Sequence, residues 1–193
     1  MMKKFQLSLL FLTALLVFAC SKDDGEEAPV ENEDPLVGTW VLASEPGALA
    51  VGESAGNYGW WSNSADDVGA RSCLFDDQYI INADGSFQNN MESQTWLEGW
   101  QGADEGCGAP VAPHDGSNTG TWTAEGGTLT ISGAGNFMGL AKVHNSGEDG
   151  SPANNTITYN YTLSNNDTVL ELTIAGWLAD VPAATWYFKF TKQ

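Results

Sequence analysis

Basic residues are scarce in this chain: seven Lys and Arg stand against 25 Asp and Glu in 193 residues, a formal net charge of −18. That balance argues against a nucleic-acid partner, whose phosphates demand a basic footprint. It also argues against adhesion to an anionic membrane surface by charge. Two histidines, His114 and His144, and three cysteines supply too few donors for a recognisable zinc spacing, and no metal or other cofactor is expected. No uninterrupted apolar run approaches the ~20 residues that a membrane-spanning helix needs. The apolar stretch from Leu7 to Phe18 is shorter, follows Lys3 and Lys4, and ends at Ala19-Cys20, the pattern of a secretory signal. A neutral ligand or a soluble cation stays open.

What the chain does contain divides it into three. Residues 1–19 read as the signal peptide. Residues 20–35 hold seven acids (Asp23, Asp24, Glu26, Glu27, Glu31, Glu33 and Asp34) and no aromatic. Such a segment cannot bury enough apolar surface to offset its ordering entropy, so it is expected to be a solvated acidic tether. Residues 36–193 have the length of one domain with its own core. Val17-Phe18-Ala19-Cys20 resembles the lipobox of bacterial lipoproteins, with Phe18 larger than is usual there. Ser21-Lys22-Asp23-Asp24 looks like the export tag of Bacteroidetes surface lipoproteins. The resemblance implies a lipidated Cys20, a membrane attachment through that lipid alone, and an outer-membrane address facing the extracellular side.

With Cys20 assigned to lipid, Cys73 and Cys107 remain as a pair in an oxidising compartment. A bridge between them closes a loop of about 35 residues, for which chain entropy gives ~3–4 kcal/mol.

The domain reads as mostly β. Leu36 to Leu42 alternates as a half-buried first strand does. Tyr79–Asn82 and Ser86–Asn89 flank Asp84-Gly85, a hairpin signal. Gly120–Thr123 and Thr128–Ile131 form a second hairpin around Gly126-Gly127, and strands follow over Thr156–Leu163, Val169–Ile174 and Trp186–Phe190. This spacing implies an antiparallel barrel or sandwich. One short helix is expected near Ser64 to Arg71, with Ser64 as its N-cap over Asp66 and Asp67. Two long connections, Glu45–Ser72 and Glu92–Ser117, interrupt the meander, and connections of that length are usually functional or tied down.

Leu36-Val37-Gly38-Thr39-Trp40 together with Asn82-Ala83-Asp84-Gly85-Ser86-Phe87 resembles the lipocalin-like domains of Bacteroidetes lipoproteins. The segments Trp60–Ser64, Arg71–Asp77, Thr95–Gln101 and Cys107–Gly116 are similar to modules that accompany secreted laminarinase-type glycan-utilisation proteins. What this likeness implies is a setting, polysaccharide capture at the cell surface beside glycan-uptake or hydrolase proteins. The catalytic Glu-x-Asp-x-x-Glu strand of those enzymes is absent, so a binding role is expected rather than catalysis.

Eight tryptophans point the same way. Trp40, Trp122, Trp177 and Trp186 fall in or beside alternating β patterns, where a core position is the default. Trp60, Trp61, Trp96 and Trp100 fall in the two long connections. An indole offers a flat apolar face to the C–H face of a sugar, and Asn63, Arg71, Asp76, Glu98 and Gln101 can hydrogen-bond its hydroxyls. The expected activity is capture of a polysaccharide, a neutral β-glucan such as laminarin. A lipocalin-like carrier of a small apolar molecule is the first alternative. A glycoside hydrolase using Glu98 with Asp76 or Asp77 is the second, since such enzymes need two facing carboxylates. Asp76-Asp77 matches no calcium loop, and His114-Asp115 lacks a nucleophile elbow. His114 is expected to order the Pro110–Pro113 segment.

Overall fold

Alternating segments become antiparallel strands wherever Gly, Asn or Asp supplies a tight turn. The computed structural model describes residues 34–143, 155–176 and 180–193. Cys20, the signal peptide, all of the acidic tether before Asp34, His144 and Trp177 lie outside the described residues. In chain order the elements are β1 (Gly38–Leu42), β2 (Leu49–Gly52), β3 (Trp61–Ser62), α1 (Ala65–Ala70), α2 (Ser72–Phe75), β4 (Gln78–Ile81), β5 (Ser86–Asn90) and β6 (Thr95–Leu97). A 3-10 turn (Gly99–Gln101) and β7 (Gly106–Gly108) come next, then β8 (Gly120–Glu125) and β9 (Thr128–Ser132). A second 3-10 turn (Ala141–Val143) precedes β10 (Thr156–Ser164), β11 (Val169–Ala175) and β12 (Thr185–Lys192).

Strands β1, β4, β5, β8, β9, β10, β11 and β12 pair in that order, and β12 returns to β1 through Trp40↔Lys192, Val41↔Thr191 and Leu42↔Phe190. The sheet is therefore a closed antiparallel barrel, the lipocalin-like alternative to a sandwich. Closure removes the unpaired edges that an open sheet would present. On the edge away from β11, the last strand has two partners. Its C-terminal residues pair with β1, while Thr185–Phe188 pair with β2, which in turn carries β3 through Val51↔Trp61. The connection from Glu45 to Ser72 thus holds two short strands and a helix. The second long connection holds the separate β6–β7 hairpin, with Trp96 opposite Cys107.

Inward positions recur every second residue: Leu170, Leu172 and Ile174 on β11, and Trp186, Phe188 and Phe190 on β12. With Trp40, Tyr79, Phe87 and Tyr159 they fill the barrel axis. Trp40 Nε1 donates to Leu36 O at 2.8 Å, and half-buried Trp122 donates to Asn82 O at 2.8 Å. Residues 137–140 cross the interior as a plug. Asn89 Nδ2 donates to Phe137 O at 2.7 Å, Tyr79 Oη to Gly139 O at 3.0 Å and Tyr159 Oη to Met138 O at 3.0 Å. Gly139 sits at φ +87°, and a Cβ there would lie 2.3 Å from the Phe188 ring, so only glycine fits.

Helix α1 begins as expected. Ser64 Oγ accepts from Asp67 N at 3.2 Å, and Asp67 Oδ2 accepts from Ser64 N at 2.8 Å, a reciprocal capping box. The Ser64 backbone N–H, and next the Ser64 hydroxyl donating to Asp67 Oδ2 at 2.7 Å, hold the Asp67 carboxyl below the usual carboxylate range. Ser64→Ala is expected to cost about 1 kcal/mol in urea unfolding and to raise the Asp67 titration seen by NMR. An unmoved Asp67 titration would contradict this account of the cap.

Candidate functional site

The junction of α1 and α2 places Arg71. Cys73 on α2 is bonded to Cys107 on β7, with Cα atoms 5.9 Å apart. The disulfide fastens the helical segment to the β6–β7 hairpin, and so brings Arg71 onto the indole of Trp96. The guanidinium carbon lies 4.4 Å from the Trp96 ring centre and 5.3 Å from that of Trp61. A cation against aromatic faces is attracted by the ring quadrupole, and desolvation strengthens the attraction.

Beside this stack opens a cleft of about 460 Å³ at the barrel rim, lined by Trp61, Arg71, Glu98, Trp100, Lys142 and Trp186, with Val51, Gly99, Glu105 and Leu140 completing it. Its polar centre is built tightly. Lys142 Nζ lies 2.5 Å from Glu98 Oε1, with the two side chains 9% and 14% exposed. The second oxygen, Glu98 Oε2, accepts from Trp100 Nε1 at 2.9 Å. The same ammonium lies 5.4 Å from the Trp186 ring centre. Gln101 Oε1 accepts from the Glu98 backbone N–H at 2.9 Å, which caps the 3-10 turn and fixes the backbone that carries the carboxylate. Trp100 packs edge-on to buried His114, and His114 edge-on to Phe137 of the plug.

The residues anticipated from sequence separate into two groups. Trp61, Arg71, Glu98 and Trp100 converge on the cleft. Trp96 lies beneath Arg71 with its Nε1 buried and unpartnered, and Gln101 supports Glu98. The others are elsewhere. Trp60 is 45% exposed but does not line the cleft. Asn63 is buried and its amide serves the backbone, accepting from Leu49 N at 2.8 Å and donating to Glu45 O at 3.0 Å. Asp76 is exposed beyond the end of α2 and does not line the cleft. Asp77 is 1% exposed and accepts from Thr95 Oγ1 at 2.6 Å, while its Oδ1 has no partner. Burial pushes the Asp77 carboxyl up to about 8; the Thr95 hydrogen bond opposes this, and Asp76 and Glu92 reinforce it. The carboxylate that shares the cleft with Glu98 is Glu105, not Asp76 or Asp77.

Lys142, Glu105 and Trp186 were missed in the sequence. Lys142 sits in a glycine-rich stretch without periodicity, although its rarity as a cation was a usable signal. Trp186 is a core tryptophan by pattern, and it is buried; it also contributes to the cleft wall. Among the described residues no group of three or more His, Cys, Asp or Glu could hold a metal ion. No family model matches this chain, and no curated protein is significantly similar to it.

Proposed function

We propose that this protein captures extracellular polysaccharide at the cell surface, with β-glucans such as laminarin as the first class of ligand. The observation that carries the reading is the rim cleft, where three indoles surround an Arg71, Glu98 and Lys142 cluster. Indole faces and fixed charged hydrogen-bonding groups are the two components a sugar ring requires, apolar contact for its C–H face and directed partners for its hydroxyls. The cleft lies on the rim, whereas the barrel axis is filled by side chains, and this favours a polymer over an apolar molecule carried inside. In this reading Cys20 bears the lipid and the acidic tether holds the domain within reach of soluble glycan, beside uptake or hydrolase partners.

Affinity electrophoresis in laminarin, mixed-linkage glucan and alginate tests the proposal. Retardation is expected with at least one glucan. Trp61→Ala and Trp100→Ala should each weaken it roughly tenfold or more, on the scale of hot-spot aromatics, and Trp60→Ala should weaken it less than either. Migration unaffected by every glycan would refute the reading.

A further inference from the structure

The cleft gathers two of the few cations of an acidic domain, and sets them beside two carboxylates, Glu98 and Glu105. Residues 34–193 hold four basic side chains, Arg71, Lys142, Lys189 and Lys192, against 19 acidic ones. Two of the four line the cleft. The other two are committed elsewhere, Lys189 to Glu45 at 2.6 Å and Lys192 to Pro35 O at 3.0 Å and the Trp40 ring. Within the cleft the two cations differ. The Lys142 ammonium is matched by Glu98 at 2.5 Å. Arg71 has no carboxylate within ion-pair distance among the described residues. Its partners are the indole rings of Trp61 and Trp96, which leave its N–H groups uncommitted to an acid. The nearest acid along the chain, Asp67, hydrogen-bonds the Ser64 cap and meets Arg71 only as a weaker through-space charge. Of the two acids in the cleft, Glu98 is taken by Lys142 and Trp100, and Glu105 is exposed.

From this arrangement we infer that the cleft selects a glycan bearing sparse oxyanion substituents, carboxylates or sulfate esters, with Arg71 as the residue that engages them. The inference rests on the glycan reading and refines its ligand class. A planar guanidinium presents paired donors that match two oxygens of a carboxylate or sulfate, and such charge-assisted pairs are among the stronger hydrogen bonds. The substituents must be sparse because of the rest of the surface. The acidic domain repels negative charge over roughly a Debye length, ~10 Å at 0.1 M salt. A polymer charged at every ring meets that repulsion along its whole length and gains Arg71 only once. A mostly neutral chain with an isolated acidic group gains Arg71 and stacks its neutral rings on the indoles.

The test uses one polymer in several forms and the full protein. The probes are laminarin, laminarin with a minority of its primary hydroxyls oxidised to carboxylates, laminarin lightly sulfated, and laminarin oxidised throughout. The readout is the ratio of each Kd to that of plain laminarin. One lightly modified form is expected to bind roughly tenfold tighter than plain laminarin, and which of the two does so identifies the oxyanion. Fully oxidised laminarin should bind more weakly than the lightly modified form, with the gap closing as salt rises. Arg71→Gln should bring the favourable ratio to one or below, whatever happens to plain laminarin. Arg71→Lys retains a cation against the indoles, guards against misfolding, and should reduce the ratio at least threefold because an ammonium has no fork. A wild-type ratio of one with plain laminarin well bound overturns this inference and leaves glycan capture standing. A favourable ratio that survives Arg71→Gln also overturns it. Failure of all four forms to bind overturns the inference, and glycan capture falls with it only where mixed-linkage glucan and alginate also leave migration unaffected.

Discussion

Asp77→Asn is expected to make the protein up to about 5 kcal/mol more stable at pH 8 and to flatten its melting temperature between pH 5 and pH 9. The wild-type carboxyl is buried, holds one hydrogen bond from Thr95 and is pushed up from 3.8 to about 8. An acid whose folded pKa lies above its unfolded value favours folding in its protonated form. That contribution is complete below about pH 4 and is lost as pH rises through about 8. Wild type should therefore melt progressively lower across this window. Asparagine has the shape of the protonated acid and no proton to lose, so the variant should not. The other described groups whose values are clearly shifted act outside the window. Hydrogen bonds from Ser64, Ser86 and Ser117 hold Asp67, Asp84 and Asp115 low, and their contributions vanish only as pH falls below the ordinary carboxylate range. Burial raises Tyr79 and Tyr159, whose contributions are lost only above pH 10. Calorimetry of both proteins at several pH values decides the matter, and parallel declines would remove Asp77 as the cause.

Glu98→Ala is expected to destabilise the fold by about 3 kcal/mol, as does removal of one partner from a buried ion pair. Lys142 is only 7% exposed as a residue, and the variant deprives its ammonium of the carboxylate at 2.5 Å. Trp100 Nε1 loses its acceptor in the same step. Replacing both charges, as in Glu98→Ala with Lys142→Met, should restore more than half of the loss, because the desolvation of the cation disappears with it. Urea unfolding of the two single variants and the double variant forms the cycle. Additive losses, or a single-variant cost under about 1 kcal/mol, would mean that the pair behaves as an exposed one. Glycan retardation measured on the same proteins should fall in all three, since each alters the polar centre of the cleft.

The barrel was legible where local and non-local signals agreed. Asp84-Gly85 between two alternating runs specifies the β4–β5 hairpin, and the run over Thr156–Leu163 specifies β10. The Ser64 cap is likewise a local event with a local signature. Closure was less legible, because it depends on β12 serving β1 with one half and β2 with the other, which no local pattern encodes. The site followed the same rule. Trp60 and Trp61 are adjacent, and only the pairing Val51↔Trp61 determines which indole faces the cleft. Asp76 and Asp77 are adjacent too. Which of them turns inward depends on where α2 ends and β4 begins, a matter of one residue. Lys142 meets Glu98 across 44 positions of sequence, beyond the reach of any spacing argument.

The divided loyalty of β12 also sets a direction. Its Lys192 end lies beside Pro35, where the chain comes into the barrel, and its Trp186 end forms part of the cleft wall. Six residue steps of extended strand separate them, roughly 20 Å at 3.3 Å per step. Within the barrel, the aromatic mouth and Pro35 therefore lie near opposite ends of β12. A bead or chip coupled upstream of Asp34 would keep the mouth open to large ligands, while a linkage near Trp60 would crowd it.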